Sequence, residues 1–180
     1  SPVRTIVTGG GKPYSVFTPF MRNAMQTPVP EPLKNTHTNY FSGSLKTKTV
    51  SLKKFDVLLK KKLALPPGRR AGLSILKKAD TLRGYEHGRN MVAEKGTSRL
   101  SPHHKFGTVS IRETYHAIKK QKFDTKQFLA ELYWRDFYLH IAYHFPRVFK
   151  ESFLPWANNI WWLNDKKQFL AWTEGKTGVP

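Results

Sequence analysis

The sequence predicts a mainly α fold, and three observations carry that expectation. An apolar run from Phe128 to Phe145 lies between Asp124-Thr125 and Pro146, with the length and ends of a helix of about five turns. Ser110-Ile111-Arg112-Glu113 has the spacing of a capping box and opens a helix through Ile118 or beyond. Pro67 suits a helix start, and Leu73, Leu76 and Leu82 give a partial apolar stripe ending near Gly84.

Taken in order, the chain divides into residues 1–30, 31–66 and 67–180. The first part holds two β-prone stretches, Arg4 to Thr8 and Tyr14 to Thr18, around Gly9-Gly10-Gly11, which reads as a hairpin or the last strands of a sheet. Pro28, Pro30 and Pro32 end any regular structure. Residues 31–66, rich in Lys, Thr and Ser, read as a linker. Beyond the helices already named, Ser101 can cap a helix with Pro102 in its first position. After the long helix comes a loop with Pro155, then a helix from about Asp165 to Thr173, stopped by Gly175.

The chain has 180 residues, enough for one domain or one domain plus part of another, and 39% hydrophobic content supports a real core. Its formal charge of +19 predicts a polyanionic partner, nucleic acid first and an anionic membrane surface second. Between Lys46 and Arg83 stand twelve Lys and Arg against two acids, Asp56 and Asp80. Such a stretch supplies sequence-independent attraction to phosphates, or merely a solvated linker. The absence of cysteine excludes a disulfide scaffold and thiolate chemistry. No run approaches a membrane span. The chain begins at Ser1 without Met, which points to a start elsewhere.

Two clusters carry possible chemistry. On a helix Glu131, Trp134, Arg135 and Tyr138 fall at i, i+3, i+4 and i+7, so one face holds all four, and Leu129, Leu132, Tyr133, Phe137 and Tyr143 occupy most of the remainder. A helix apolar almost all round is expected to be buried, and a buried acid and base need partners or a use. An acid, a flat aromatic and a base together suit a planar, hydrogen-bonding ligand. Gly96 to Pro102 packs Thr97, Ser98, Ser101 and Arg99 beside a helix start, either an ordinary N-terminus or an anion cradle suited to a pyrophosphate. His103-His104 and the His140/His144 pair, without cysteine or an HExxH pattern, read as ordinary polar histidines, and no metal site is expected. Trp156, Trp161, Trp162 and Trp172 read as core or interface aromatics.

Together these segments resemble the photolyase/cryptochrome family, and within it the class I cyclobutane pyrimidine dimer (deoxyribodipyrimidine) photolyases. The matching pieces are Tyr14 to Phe20, Gly96 to Pro102 with Phe106-Gly107, Glu131 to Tyr138 and Ala171 to Gly178, in the family's order. The resemblance implies a partial α-helical FAD-binding domain over 67–180. A basic interdomain linker over 31–66 and a hairpin-like tail of an α/β antenna domain over 1–30 would precede it. It implies that Tyr85, Thr97, Ser98, Arg99, Leu100 and Ser101 hold FAD, with Glu131 and Arg135 facing the flavin. Glu131 and Trp134 become the catalytic pair, with Arg89, Glu131, Trp134 and Tyr138 on the DNA and its lesion. Trp162 matches the outermost tryptophan of an electron-transfer chain. A tryptophan often found in the family at position 128 is replaced by Phe128.

The implied activity is light-dependent DNA repair, in which reduced FAD passes an electron to a dimer flipped out of the duplex. An acid at position 131 favours the cyclobutane substrate and would stabilise the radical anion formed on it. The implied partner is UV-damaged DNA, with no membrane association, and a monomer unless a separate chain supplies the missing half. An antenna chromophore of folate or deazaflavin type belongs to the full-length protein. Localisation is intracellular, and cytoplasmic for a prokaryotic source. Only the antenna domain's tail and the first part of the FAD domain are expected here, so the fragment should bind FAD poorly alone. The rivals are a cryptochrome-type blue-light photoreceptor and a non-catalytic basic DNA-binding remnant.

Overall fold

The computed structural model describes residues 4–44 and 63–178. The Lys46 to Lys62 part of the basic stretch lies outside the described residues. In chain order the α-helices are α1 (Phe17–Ala24), α2 (Gly68–Lys77), α3 (Tyr85–Gly88), α4 (Ser101–Lys105), α5 (Ile111–Lys119), α6 (Lys126–His144) and α7 (Lys166–Thr173). Short 3-10 turns occupy Ala79–Leu82, Pro146–Phe149 and Pro155–Asn159.

Local chemistry sets most of these ends. Ser110 and Glu113 close the capping box in both directions: the Glu113 backbone N–H donates to Ser110 Oγ at 3.1 Å, and the Ser110 N–H donates to Glu113 Oε2 at 2.8 Å. Asp165 caps α7 by accepting from the N–H groups of Lys167 and Gln168 at 2.8 and 2.9 Å. At the other end Lys176 N–H reaches Ala171 O at 2.7 Å and Gly175 N–H reaches Trp172 O at 3.2 Å, a Schellman closure that needs the left-handed φ of 67° at Gly175. Pro146 ends α6, since it has no N–H to continue the ladder.

The long helix α6 is the axis of the packing. One side of it contributes Phe128 and Leu132 to a core with Ala79, Leu82, Leu100 and Ile118. Another side contributes Tyr133 and Phe137 to a second core with Ile6, Phe20 and Ala24. Two cores on different sides explain why α6 is apolar around so much of its circumference. Each fully buried side chain of this size contributes about 1.5–3 kcal/mol. The expectation of burial all round nevertheless fails for Tyr138, Leu139 and Tyr143, which stay exposed although Trp134 stacks beside Tyr138 and Arg4 lies over the Tyr143 ring.

Three further expectations need correction. The paired strands shrink to an isolated antiparallel bridge between Val7 and Pro13, and the second β-prone stretch runs into α1 from Phe17 onward. Phe17, Phe20, Met21 and Ala24 recur at helical spacing, and packing against Tyr133 and Phe137 outweighs the β preference of Thr18, while Val16 stays extended at the cap. The helix expected from Pro67 to Gly84 breaks after Lys77 into the 3-10 turn, which buries Ala79 and Leu82. Finally, Trp156, Trp161, Trp162 and Trp172 are exposed, which removes the core half of the core-or-interface expectation and leaves the interface half standing.

Candidate functional site

A cleft of about 590 Å³ opens between α3, α4 and α6. From α6 it is lined by Phe128, Glu131, Leu132, Arg135 and Leu139. The opposite rim carries Tyr85 of α3, Ser98 and Leu100 of the following loop, and Ser101, His104 and Lys105 of α4. Three separate segments, at Tyr85, 98–105 and 128–139, therefore meet at one place.

Backbone geometry brings the loop to the cleft. Gly88 and Gly96 lie so close that a Cβ on Gly96 would stand 2.3 Å from the carbonyl carbon and oxygen of Gly88. Only glycine at both positions lets the two backbones touch. Arg99 then takes a left-handed φ of 54°, uncommon for a bulky side chain, and the chain turns into α4. Ser98 Oγ accepts from the Leu100 N–H at 3.3 Å inside that turn. The expected cap on α4 by Ser101, with Pro102 first in the helix, does not form. Instead Leu100 holds the cap position, Ser101 opens the helix, and no side chain caps it.

Glu131 sits half-buried at the centre of the wall. Arg89 Nη1 donates to its Oε1 in a close ion pair, and Gln127 Nε2 donates to the same oxygen at 3.0 Å. Arg135 is a different case: its guanidinium lies 3.7 Å from the carboxylate of the adjacent Asp136 and is partly exposed. Tyr85 packs on Phe128 with ring centroids 4.8 Å apart. Burial first, and the Glu131 charge second, push its hydroxyl pKa up. His104 Nε2 lies 2.9 Å from Thr114 Oγ1, and burial, then the Arg135 charge, lowers its pKa to about 4, so the ring is neutral at pH 7.

The cleft gathers Tyr85, Ser98, Leu100, Ser101, Glu131 and Arg135 from the residues anticipated in the sequence, with Arg89 reaching in through its ion pair. Thr97 and Arg99 are exposed and do not line it, while Leu100 is a core side chain at its edge. Trp134 and Tyr138 turn to the neighbouring side of α6. Phe17 stacks on Trp134 at 3.6 Å and 10°, and Tyr138 lies 5.6 Å from it at 26°. Trp162 lines none of this. Sequence reasoning missed His104 and Lys105; with Ser101 they form an i, i+3, i+4 set that helical spacing could have exposed.

His103 Nδ1 lies 2.9 Å from Thr108 Oγ1 and packs against Gly72, and His140 is buried beside Phe20 and His144. Among the described residues no group of three or more His, Cys, Asp or Glu could hold a metal ion, and no helix is long and apolar enough to cross a membrane. A second cleft, of about 530 Å³ with Val29, Ile111, Arg112, Tyr115 and Asp136 in its lining, holds none of the anticipated residues.

Comparison with known proteins gives this geometry a context. Residues 128–180 match the sequence model of a family described as the FAD binding domain of DNA photolyase. Over 97% of the chain, the deoxyribodipyrimidine photo-lyases of Synechococcus and of Halobacterium salinarum are 30% and 32% identical, and the chain covers 40% of each. A crystal structure of a bacterial class III photolyase from Agrobacterium tumefaciens superposes with a TM-score of 0.76 at 30% identity, covering 97% of this chain and 39% of that one. The chain thus spans about two fifths of the length of the relatives it matches. That solved structure is of class III, whereas the sequence motifs resemble class I.

Proposed function

We propose that this chain, which belongs to the DNA photolyase family, forms one wall of the flavin and lesion pocket of a light-dependent repair enzyme for deoxyribodipyrimidine photoproducts. The observation that carries the reading is the convergence of Tyr85, Ser98, Ser101, Glu131 and Arg135 on one cleft. Its donor set suits FAD. Ser98 and Ser101 offer hydroxyls and Lys105 and Arg135 offer cations, which fits a diphosphate, while Tyr85 and Phe128 offer ring surface. Thr97 and Arg99, exposed on the same loop, stand where they could add further phosphate donors.

Bound there, reduced FAD would supply a light-driven electron to a flipped-out pyrimidine dimer. The chain's own residues bind and orient. Glu131 accepts or shares a hydrogen bond with the dimer, and Arg89 takes a DNA phosphate, so the ion pair between them must open as DNA enters. Tyr138, exposed beside the cleft, offers aromatic surface for stacking on the lesion, and Trp134 joins it only as the stacked Phe17 ring gives way. Trp162, exposed, fits an outer electron-transfer position. In this reading residues 1–30 are the antenna domain's tail, with Ile6, Phe20 and Ala24 packed on Tyr133 and Phe137 of α6, 31–66 are the linker, and 67–180 are the first part of the FAD-binding domain.

The test is a chimera in which this chain replaces the matching two fifths of the Synechococcus photo-lyase. Blue-light repair of a dimer-containing duplex is the expected result. Flavin absorbance without repair would favour the photoreceptor, and DNA binding without flavin would leave only a nucleic-acid-binding remnant. Within the chimera, Glu131→Ala lowers repair yield more than DNA affinity, and Arg89→Ala does the reverse. Equal losses in both would contradict the roles.

A further inference from the structure

Helices α2 and α5 run side by side in the same direction. Arg69 at the start of α2 pairs with Glu113 at the start of α5 at 2.6 Å, and Leu76 near the end of α2 shares a cavity lining with Lys120 just past α5. Both helices therefore deliver their C-terminal lysines to the same end of the bundle. Arg83 lies over the Phe123 ring at 5.7 Å, which brings the α5–α6 loop to the 3-10 turn Ala79–Leu82. The segments 77–83 and 119–126 then hold Lys77, Lys78, Arg83, Lys119, Lys120, Lys122 and Lys126, against the acids Asp80 and Asp124. All seven basic side chains are exposed.

Ordinary helix chemistry accounts for part of this collar. Cations at a helix C-terminus meet the negative end of the dipole, which covers Lys77, Lys78, Lys119 and Lys120. It leaves Arg83 and Lys122 unexplained, and Lys126 sits in the first turn of α6, the end where a cation is disfavoured. Glu31 and Glu113 line the cavity beside Lys120 but face His116 and Arg69, so the seven cations keep an excess of positive charge that a polyanion would offset. A membrane surface is a poor fit, because none of the large apolar side chains exposed among the described residues lies in either segment. The collar also joins the cleft: Arg83 leads through Gly84 into Tyr85, and Lys126 begins the helix that carries Glu131.

We infer that this collar is an auxiliary docking surface for the phosphate backbone of duplex DNA, engaging the duplex beside the cleft without regard to damage. The inference deepens the repair reading and rests on it for the identity of the partner as DNA. The collar itself makes a separate, measurable contribution.

The test replaces Lys77, Lys78, Lys120 and Lys122 together by Gln, leaving Lys119 and Arg83, which lie over Tyr115 and Phe123. A matched variant replaces Lys150, Lys166, Lys167 and Lys176, four exposed lysines elsewhere, so both lose the same net charge. Circular dichroism checks that each is folded. Binding of the 180-residue chain to a short undamaged duplex is then followed across a salt series. The collar variant should lower the slope of log K against log salt by up to about 3.6, since each of the four phosphates left without its lysine removes roughly 0.9, and the matched variant by less than about 1. Equal changes in the two variants, or an unchanged slope in the collar variant, would overturn the inference. So would a collar variant that loses binding only to phosphatidylserine vesicles. Repeating the titration with a dimer-containing duplex separates the two readings. Equal affinity for both duplexes with a reduced collar slope supports the collar while removing the lesion pocket.

Discussion

Residues 68–145 and residues 146–178 are both rich in aromatic and aliphatic side chains, yet they use them in opposite ways. In the first region Leu82, Leu100, Ile118, Phe128, Leu132, Tyr133 and Phe137 are buried around α6. In the second, Phe149, Trp156, Trp161, Trp162, Phe169 and Trp172 are exposed, although α7 is capped at both ends and well formed. A capped helix is a local product of the sequence, whereas burial needs a complementary surface. Among the described residues 146–178 have no such surface, and this segment falls inside the match to the FAD binding domain of a family whose compared members are about two and a half times longer. Exposed apolar area of this kind marks a contact surface.

The sharpest way to break the contrast is to hollow each region in turn. Ile118 is fully buried in the first core, so Ile118→Ala should cost about 3 kcal/mol in urea unfolding, from lost transfer energy plus a cavity. A cost below about 1 kcal/mol would mean that the α5–α6 core is not packed. Next in size is Glu113→Ala. It removes half of the capping box and the paired contacts to Arg69 at 2.6 and 3.1 Å, for about 1–2 kcal/mol. Glu113→Gln, which can still close the capping box, should recover part of that loss. An equal cost for both would place the whole effect in the ion pair.

Acid pH separates the same contributions. Burial and Arg135 lower the His104 pKa to about 4, so the unfolded chain takes up a proton near its ordinary value of 6.5 that the folded chain refuses. The stability is complete above 6.5 and is lost as pH falls toward 4. Allowing for solvent screening at a half-buried site, the loss is about 1 kcal/mol. Arg69 holds Glu113 at about 2, so its share is complete above 4.5 and disappears as pH falls through 2. Melting temperatures across the range from neutral to strongly acid pH should show both windows. His104→Leu should flatten the first, and Glu113→Ala the second. A His104→Leu profile parallel to the parent would remove His104 from the account.

How much of this was legible depended on how local each cause was. The Ser110 capping box, the start of α7 near Asp165 and its stop at Gly175, and the limits of α6 are short-range rules read directly from residue types. The site was half legible. Spacing placed Glu131, Trp134, Arg135 and Tyr138 on one face, but consecutive residues on a helix stand about 100° apart. Arg135 therefore turns into the cleft while Trp134 turns to Phe17, a partner far away in the chain. The Arg89–Glu131 pair and the Gly88–Gly96 approach also depend on tertiary neighbours, as does the choice of helix over strand at Phe17. The four tryptophans at 156, 161, 162 and 172 show the limit most clearly, since residue type predicts burial only where something exists to bury against.

That limit sets the smallest expected effect, and the most informative one for the comparison. Trp161 is 82% exposed, so Trp161→Ser should change the stability of this chain by no more than about 0.5 kcal/mol, as at ordinary surface positions. Its indole should also be open to iodide, so collisional quenching should fall in the variant by more than for Trp134→Phe, whose ring is covered by Phe17. A cost above about 2 kcal/mol for Trp161→Ser would show residues 146–178 packed as tightly as 68–145. An unchanged stability here, with a large loss of folding from the same substitution in the Synechococcus chimera, would assign the exposed aromatic surface to contact with the rest of a photolyase-length chain.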